Sequence, residues 1–569
     1  MDMTSVGDMT RRRRRAMRGP LEYLRAMAFA SPLYRLTLSG RQPEQLAQAP
    51  TDPWPGNGER ARQIMKGTWR FAGQTLQFEG RPGSLDWYPA EAWDGWLAEL
   101  HAFQWLRDLR ELGGEARGAA RHACADWIAQ CGSWERLGWR SDILGRRLAA
   151  WITHGGFLLN GADILFRRRF LQSLAEQTRH LSRVVSHGPE GIGRIAAVKA
   201  LLYAGLTLPG AERRLPQGLR LLEHELDRQT LPDGGQLERN PSVQFHLMRD
   251  LVEIRLALIS AKEPVPNWLQ LTIDRTAPML RFYRHGDGGL VLFNGSSEEP
   301  AALIDNVLAM GQATGKPTSR AVQTGYERMI AKRTLLVVDT GKPPPADFAG
   351  DAHAGPLSFE MSIGRERLIV NVGAYHGPDA DWRLACRATG AHSTLSVDDR
   401  NAVEIRDDGS LGRAPKTIEI DRDEQDGATW LDMSHDGYKA SSRLVHRRRL
   451  YLSADGNDLR GEDVGEGPGG EQFTLRFHLH PDVQAAAVQD GASVLMRLPS
   501  GEGWRFRAQG GVVSLANSIY LGSGTMRRTS QIVVSGGLNG EETTIKWALA
   551  CLPKEKKSKR KRAVVEEDA

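Results

Sequence analysis

Cysteine is scarce: the 569 residues hold four, Cys124, Cys131, Cys386 and Cys551. So few thiols in so long a chain make no disulfide framework, and no CxxC spacing marks a zinc cluster. A reduced compartment is expected. Long apolar runs are missing as well, and no stretch reaches membrane-spanning length free of charge. The first apolar stretch, "AMRGPLEYLRAMAFASPLYRLTL", is broken by Arg18, Glu22, Arg25 and Arg35. It fits an export signal poorly, and a surface-lying amphipathic helix at 21–30 better. The expected location is the cytoplasm.

The body of the chain also lacks a dominant sign of charge. The formal net charge of +6 comes from Arg11–Arg15 and from "KEKKSKRKR" (554–562); between these runs the charges balance. Such runs are usually solvated ends that touch anionic surfaces, so peripheral membrane contact through the basic tails is expected. Specific nucleic-acid binding needs a basic folded face and is not expected. The Gly-rich "HGDGGLVLFNGS" (285–296) lacks phosphate-loop spacing and is assigned no nucleotide role.

What remains is ordinary globular composition, 40% hydrophobic and 25% charged, in a chain too long for one core. From about residue 90 to 310 the apolar spacing is helical. In "WDGWLAELHAFQWLRDLREL", Trp93, Trp96, Leu97, Leu100, Phe103, Leu106 and Leu109 fall on one stripe. Similar segments follow at 118–130, 141–156, 162–185, 191–206, 215–229 and 241–260, with Gly, Pro or polar turns between them. Successive helical hairpins predict a bundle, solenoid or toroid. The tryptophans of 87–139 are expected to fill its core.

After about residue 330 the period shortens. "RTLLVVDTG", "LSFEMSIGRERLIVNVG", "HSTLSVDD", "KTIEIDRD", "TWLDMSHDGY", "RLVHRRRLYLS", "FTLRFHLHP" and "QIVVSGG" alternate and end in turn residues, which predicts an antiparallel sandwich. The expected fold is thus α+β and multidomain. A basic, partly disordered segment (1–50) precedes an (α/α) toroid (51–325), a β-sandwich (326–552) and a charged disordered tail (553–569).

This order, with "DGGQLERNPSVQFHLMRDLVEIR", "GRERLIVNVG…DWRLACRATGAHSTLSVDD" and "HDGYKASSRLVHRRRLYLS", resembles the heparinase II/III-like polysaccharide lyases over roughly 60–550. The resemblance implies a toroid followed by a sandwich with substrate held between them. It implies cleavage of an acidic, uronic-acid-containing polysaccharide by β-elimination, and in several members a structural zinc in the sheet domain. It also admits a periplasmic or cell-envelope location.

Eliminating a uronic-acid glycoside needs the C5 carboxylate neutralised, a base for the C5 proton and an acid for the departing O4. His392 matches the family's sheet-domain histidine and is the expected base; read from its neighbours alone it is equally a strand-edge His bonded to a carbonyl. Asn240 before Pro241 reads as a helix N-cap. The resemblance adds a binding role at the cleft for Arg239, Asn240 and Arg387, the arginines meeting substrate carboxylates.

The pattern also departs from the family. Val243 and Gln244 stand where a Tyr-His pair is common, and Gly191 and Gly193 where an Asn is. His246, Tyr283 or Tyr375 are the replacements the sequence offers. For zinc, which wants three or four converging ligands, His435 and His446 with Asp398 or Asp399 are weak candidates; Thr394 stands where some relatives have a second His. His478 and His480 share a strand face, which is usually plain polar alternation. In "HRRRL", Arg447 and Arg449 face one way, His446 and Arg448 the other. The alternative reading is a catalytically weakened glycan-binding protein of envelope or exopolysaccharide metabolism. A hydrolase would need a carboxylate pair, for which Glu238 and Asp233 are placed.

Overall fold

The computed structural model describes residues 20–78, 85–488, 493–538 and 540–553, without the side chains of 20–22. Both basic runs, and the membrane contact expected of them, lie outside the described residues.

Helices α1 (Pro20–Ala30) and α2 (Pro32–Leu38) form a hairpin whose Ser31 hydroxyl accepts from Leu33 N as an N-cap. The segment 1–50 is therefore helical over 20–38. Its inner side packs Phe29 and Tyr34 on His180, with Tyr34 Oη 2.7 Å from His180 Nδ1. Tyr23, Leu24, Met27, Leu33 and Leu36 stay exposed.

The toroid follows: α3 (Gly58–Met65), a hairpin of β1 (Thr68–Phe71) and β2 (Gln74–Gln77), then α4 (Asp94–Ala102), α5 (Leu106–Glu111), α6 (Gly114–Cys131), α7 (Ser141–Thr153), α8 (Gly155–Leu159), α9 (Ile164–Val184), α10 (Ile192–Thr207), α11 (Arg214–Gln229), α12 (Pro241–Ser260), α13 (Asn267–Phe282) and α14 (Ala301–Met310). Trp87, Trp96, Trp105, Trp127 and Trp151 fill its core as the helical spacing predicts. The stripe read over 93–112 is two helices, because Phe103 takes a left-handed φ of 57° and ends α4. That conformation is costly for a residue with a side chain. It is held by burial of the Phe103 ring among Trp87, Trp105 and Trp151. Gly145 permits a close helix approach: a Cβ there would lie 2.5 Å from Ala197 Cα of α10.

The sandwich strands are β3 (Arg320–Ala321), β4 (Tyr326–Ala331), β5 (Thr334–Asp339), β6 (Phe359–Ile363), β7 (Glu366–Val370), β8 (Leu395–Val397), β9 (Ile418–Gln425), β10 (Ala428–His435), β11 (Val445–Leu452), β12 (Asp458–Glu466), β13 (Gln472–Leu479), β14 (Gln484–Val488), β15 (Ser493–Arg497), β16 (Gly503–Gln509), β17 (Val512–Tyr520), β18 (Arg527–Gly537) and β19 (Glu542–Cys551). One antiparallel sheet runs β14-β15-β16-β19-β12-β11-β10-β9, the other β17-β18-β13-β7-β6-β5-β4-β3, with β8 also paired to β13. Phe359, Phe477, Phe506 and Trp547 stack between them. The sandwich thus begins at Arg320, six residues before the expected 326, since β3 pairs with β4.

Alternation along β11 divides the "HRRRL" string as predicted. Arg447 and Arg449 face outward onto Asp432. His446 and Arg448 face inward and are fully buried. Arg239 joins the two domains: its guanidinium donates to Thr324 O, Gly325 O and Lys342 O and pairs with the buried Asp339.

Candidate functional site

A cleft of about 1570 Å³ separates toroid from sandwich. Trp93, Glu99 and Arg146 line its helical wall; Lys342, Asp351, His353, Tyr375 and Arg383 line the other. Arg383 lies over the Trp93 ring, 5.1 Å from its centroid, and donates to Gly377 O, so the two walls touch at one end.

His392 does not form the cleft wall itself. It is 1% exposed and lies behind His353. Its Nδ1 is 2.8 Å from Ala388 O, and its Nε2 is 2.9 Å from His353 Nδ1. A carbonyl only accepts, so His392 carries its proton on Nδ1 and presents a bare Nε2. That nitrogen accepts from His353 Nδ1–H. His353 Nε2 is then the bare nitrogen, with no hydrogen-bond partner among the described residues. Burial pushes His392 down to about 4. Burial, then His392 and Arg387, pushes His353 down as well. Both rings are neutral near pH 7.

Reading the sequence missed His353. It sits in "GKPPPADFAGDAHAGP" (341–356), a Pro- and Gly-rich loop. The usable signal was a titratable residue on a loop beside a scaffold strand, where binding and catalytic groups concentrate.

Several buried groups hold this loop. His353 N donates to Asn294 Oδ1 at 3.0 Å. Arg387 Nε donates to Ala352 O at 2.8 Å, while Arg387 O accepts from Ala354 N at 2.8 Å. A Cβ at Gly355 would lie 2.6 Å from His392 Cδ2, so the imidazole rests on bare backbone. Arg448 Nη1 donates to Leu357 O and Ser393 O, gripping the chain just after each histidine.

Two expected carboxylate binders therefore have other work. Arg239 is buried at the domain junction with its donors on three carbonyls and Asp339, too far committed to meet a substrate. Arg387 is 9% exposed, and its guanidinium is spent on Ala352 O, Gly409 O and Ala349 O. It positions His353. Asn240 caps α12, its Oδ1 accepting from Ser242 N at 2.8 Å and Val243 N at 3.3 Å.

The departures from the family pattern have structural counterparts. Val243 is buried, and Gln244 Nε2 donates to Gly234 O and Thr276 O. At Gly191 a Cβ would lie 2.1 Å from Glu238 Oε1, so the Glu238 carboxyl fills the space of a side chain there. Glu238 Oε1 accepts from Ile192 N, and burial pushes the carboxyl up to about 7. Asp233 is bound to Thr324 N and Oγ1, so Asp233 and Glu238 form no hydrolytic pair across the cleft. Of the proposed replacements, Tyr375 lines the cleft and His246 a separate toroid cavity; Tyr283 is buried against Tyr326.

The zinc candidates do not fit a metal. His435 Nε2 lies 3.2 Å from His446 Nδ1, and His446 Nε2 lies 2.7 Å from Asp463 Oδ1. His435 Nδ1 accepts from Gly437 N, and Asp463 also receives Arg448 and Trp547. The ring nitrogens are committed to one another and to backbone rather than converging. Asp398 accepts from Glu471 N and Gln472 N. No group of three His, Cys, Asp or Glu among the described residues is arranged to hold a metal. His478 likewise binds Ser518 Oγ and Gly390 O.

Residues 313–548 match the family model described as heparinase II/III-like, C-terminal. FtsZ-localized protein C of Caulobacter vibrioides is 32% identical over 559 residues, covering 92% of this chain and 93% of that protein. The chain belongs to the heparinase II/III-like family. Solved structures of such lyases share the fold. The crystal structure of heparinase III superposes with a TM-score of 0.73 at 15% identity, over 91% of this chain and 89% of that one. A heparan sulfate lyase from Pedobacter heparinus gives 0.57 at 17% identity, over 92% and 88%. Chondroitin AC lyase of Streptomyces coelicolor A3, in complex with chondroitin sulphate, gives 0.53 at 10% identity, over 88% and 79%. This family member therefore has the toroid-plus-sandwich fold of polysaccharide lyases.

Proposed function

We propose that this protein is a polysaccharide lyase that cleaves an acidic, uronic-acid-containing polysaccharide by β-elimination, with His353 as the base and His392 positioning it. The observation that carries the reading is the bare His353 Nε2 at the end of a fixed relay from Ala388 O through His392. A neutral imidazole with an unoccupied nitrogen is what proton abstraction requires. In the step, His353 Nε2 takes the C5 proton, the C5–H electrons form the C4–C5 double bond, and the C4–O4 bond breaks. Tyr375 Oη, on the same wall, protonates the leaving oxygen. Lys342 and Arg383 are the cations there for the C5 carboxylate.

The unsaturated product absorbs in the ultraviolet. A panel of uronic-acid polymers incubated with the full-length protein is expected to gain that absorbance with at least one polymer. New reducing ends without it would mean hydrolysis and sink the reading.

A second reading rests on the end-to-end likeness to FtsZ-localized protein C. Here the chain is a glycan-binding protein with weakened turnover that works in envelope or exopolysaccharide metabolism alongside FtsZ, in the cytoplasm. Loss of the family's Tyr-His to Val243 and Gln244 favours it. The exposed Tyr23, Leu24, Met27, Leu33 and Leu36 suit contact with an anionic membrane surface, next to the basic Arg11–Arg15 run. Co-sedimentation with FtsZ filaments and with phosphatidylglycerol vesicles, together with glycan binding and no ultraviolet gain, is the outcome this reading expects.

A further inference from the structure

The toroid encloses a second cavity, of about 390 Å³, that shares Glu99 and Arg146 with the interdomain cleft. Its interior is strongly charged, and most of those charges are matched. Lys199 Nζ donates to Asp250 Oδ1 at 2.7 Å and Glu253 Oε2 at 2.5 Å. Arg107 Nε donates to Asp52 Oδ2 at 2.6 Å.

Three groups are left over. Arg146 of α7 makes no hydrogen bond or ion pair among the described residues. Arg249 of α12 makes no hydrogen bond there either, and its Nε is buried without a partner. The nearest carboxylate oxygen to Arg249, Glu253 Oε1, is 3.8 Å away and already receives Trp54 Nε1. His246 stands three residues before Arg249, on the same helix face. Its Nδ1 is buried without a partner, and its Nε2 is 3.8 Å from Glu299 Oε1, which the Ser242 hydroxyl occupies. Burial and the positive charge of Arg249 and Arg146 hold His246 neutral. Arg146 without an ion pair, Arg249 with only a 3.8 Å carboxylate contact and a buried Nε lacking a hydrogen bond, and His246 with a buried, unbonded Nδ1 leave donors in this cavity that an anion would satisfy.

We propose that Arg146, Arg249 and His246 form an anion site for a carboxylate or sulfate group on a sugar of the bound glycan other than the one being cleaved. The guanidinium forks match either oxyanion, and His246 adds a donor. Arg146 also lines the cleft, so one glycan reaches both places. Only the identity of the glycan rests on the lyase reading.

The test is a ligand-observed NMR titration of the full-length protein with D-glucuronate and, separately, inorganic sulfate. Saturable binding is expected, weakened tenfold or more in Arg146→Ala and Arg249→Ala, and weakened less in Arg146→Lys and Arg249→Lys, which keep the charge but lose the fork. Glucuronate alone binding assigns a carboxylate; sulfate binding as well assigns a sulfated glycan. Unchanged affinity in both alanine variants, or no binding of either anion, overturns the site. Lysine variants that fold with unchanged melting temperature yet bind no better than the alanine ones would also overturn it, since they keep the charge. If binding behaves as expected but no polymer is eliminated, the lyase reading alone fails; elimination with binding indifferent to both arginines sinks the site alone.

Discussion

His353 Nδ1 lies 2.9 Å from His392 Nε2, with the two rings nearly perpendicular at an interplanar angle of 79°. Because Ala388 O accepts from the far side of His392, the pair has a direction. Protons point inward, and the unoccupied nitrogen points away from the sandwich core. His353→Ala removes the base and is expected to lower the rate of unsaturated-product formation by about 10²–10⁴-fold. His392→Ala is expected to cost less, since His353 keeps its place but loses its fixed tautomer. Initial rates at saturating polymer check both. Equal activity of His353→Ala and wild type would end the assignment.

Gly355 makes the pair possible. A methyl group there would meet the His392 ring at 2.6 Å, well inside contact distance. Gly355→Ala is expected to push the ring off Ala388 O, lowering kcat while leaving KM nearly unchanged. Overpacking of this kind costs about 1–3 kcal/mol of stability, so a modest fall in melting temperature should accompany the loss.

Arg239 ties the domains together through Asp339 rather than binding substrate. Arg239→Leu leaves a buried carboxylate without its cation and is expected to destabilise by about 3–5 kcal/mol. The double variant Arg239→Leu/Asp339→Leu should recover much of that loss. Differential scanning calorimetry of the two variants measures it; a single variant as stable as wild type would show that the pair contributes nothing.

Acid should destabilise the fold through its buried histidines. Burial lowers His392, His154 and His180 to about 4 and His101 and His478 to about 3, from an ordinary 6.5. Between those values the unfolded chain binds protons that the folded chain does not, so stability rises with pH across that window. Their contribution is complete above 6.5 and is lost as pH falls through about 4. A shift from 6.5 to about 4 is worth about 3 kcal/mol for each such group. The melting temperature is expected to fall steeply from pH 6.5 to 4. The same depression moves the acidic limb of the activity profile below 6.5, because His353 stays neutral there.

Chelation should leave the sandwich unchanged. His446 is held by His435 and Asp463 rather than aimed at a shared point. Incubation with EDTA is expected to leave the melting temperature where it was, and Asp463→Asn is expected to lower it, since Arg448 and His446 both lose their anion. A fall on chelation that zinc reverses would contradict this.

Much of the architecture was legible because it is local. A 3.6-residue apolar period gives way to alternation after about 330, and α6, α7, α9, α10, α11 and α12 fall where that spacing puts them. Asn240 before Pro241 reads as a cap and is one. Phe103 is the counter-example: nothing in its immediate neighbourhood ends a helix, and the turn is stabilised by rings from Trp87 and Trp151, distant in sequence.

The sequence by itself determined the order of the two layers, the inward and outward faces of the "HRRRL" strand and the candidacy of His392, since periodicity and a shared string depend only on neighbours along the chain. The tertiary structure alone decided which nitrogen is left bare, which arginines are spent on carbonyls and which are left over. Those outcomes depend on partners such as His353 and His392, 39 residues apart, and on burial, a collective property that no single segment carries.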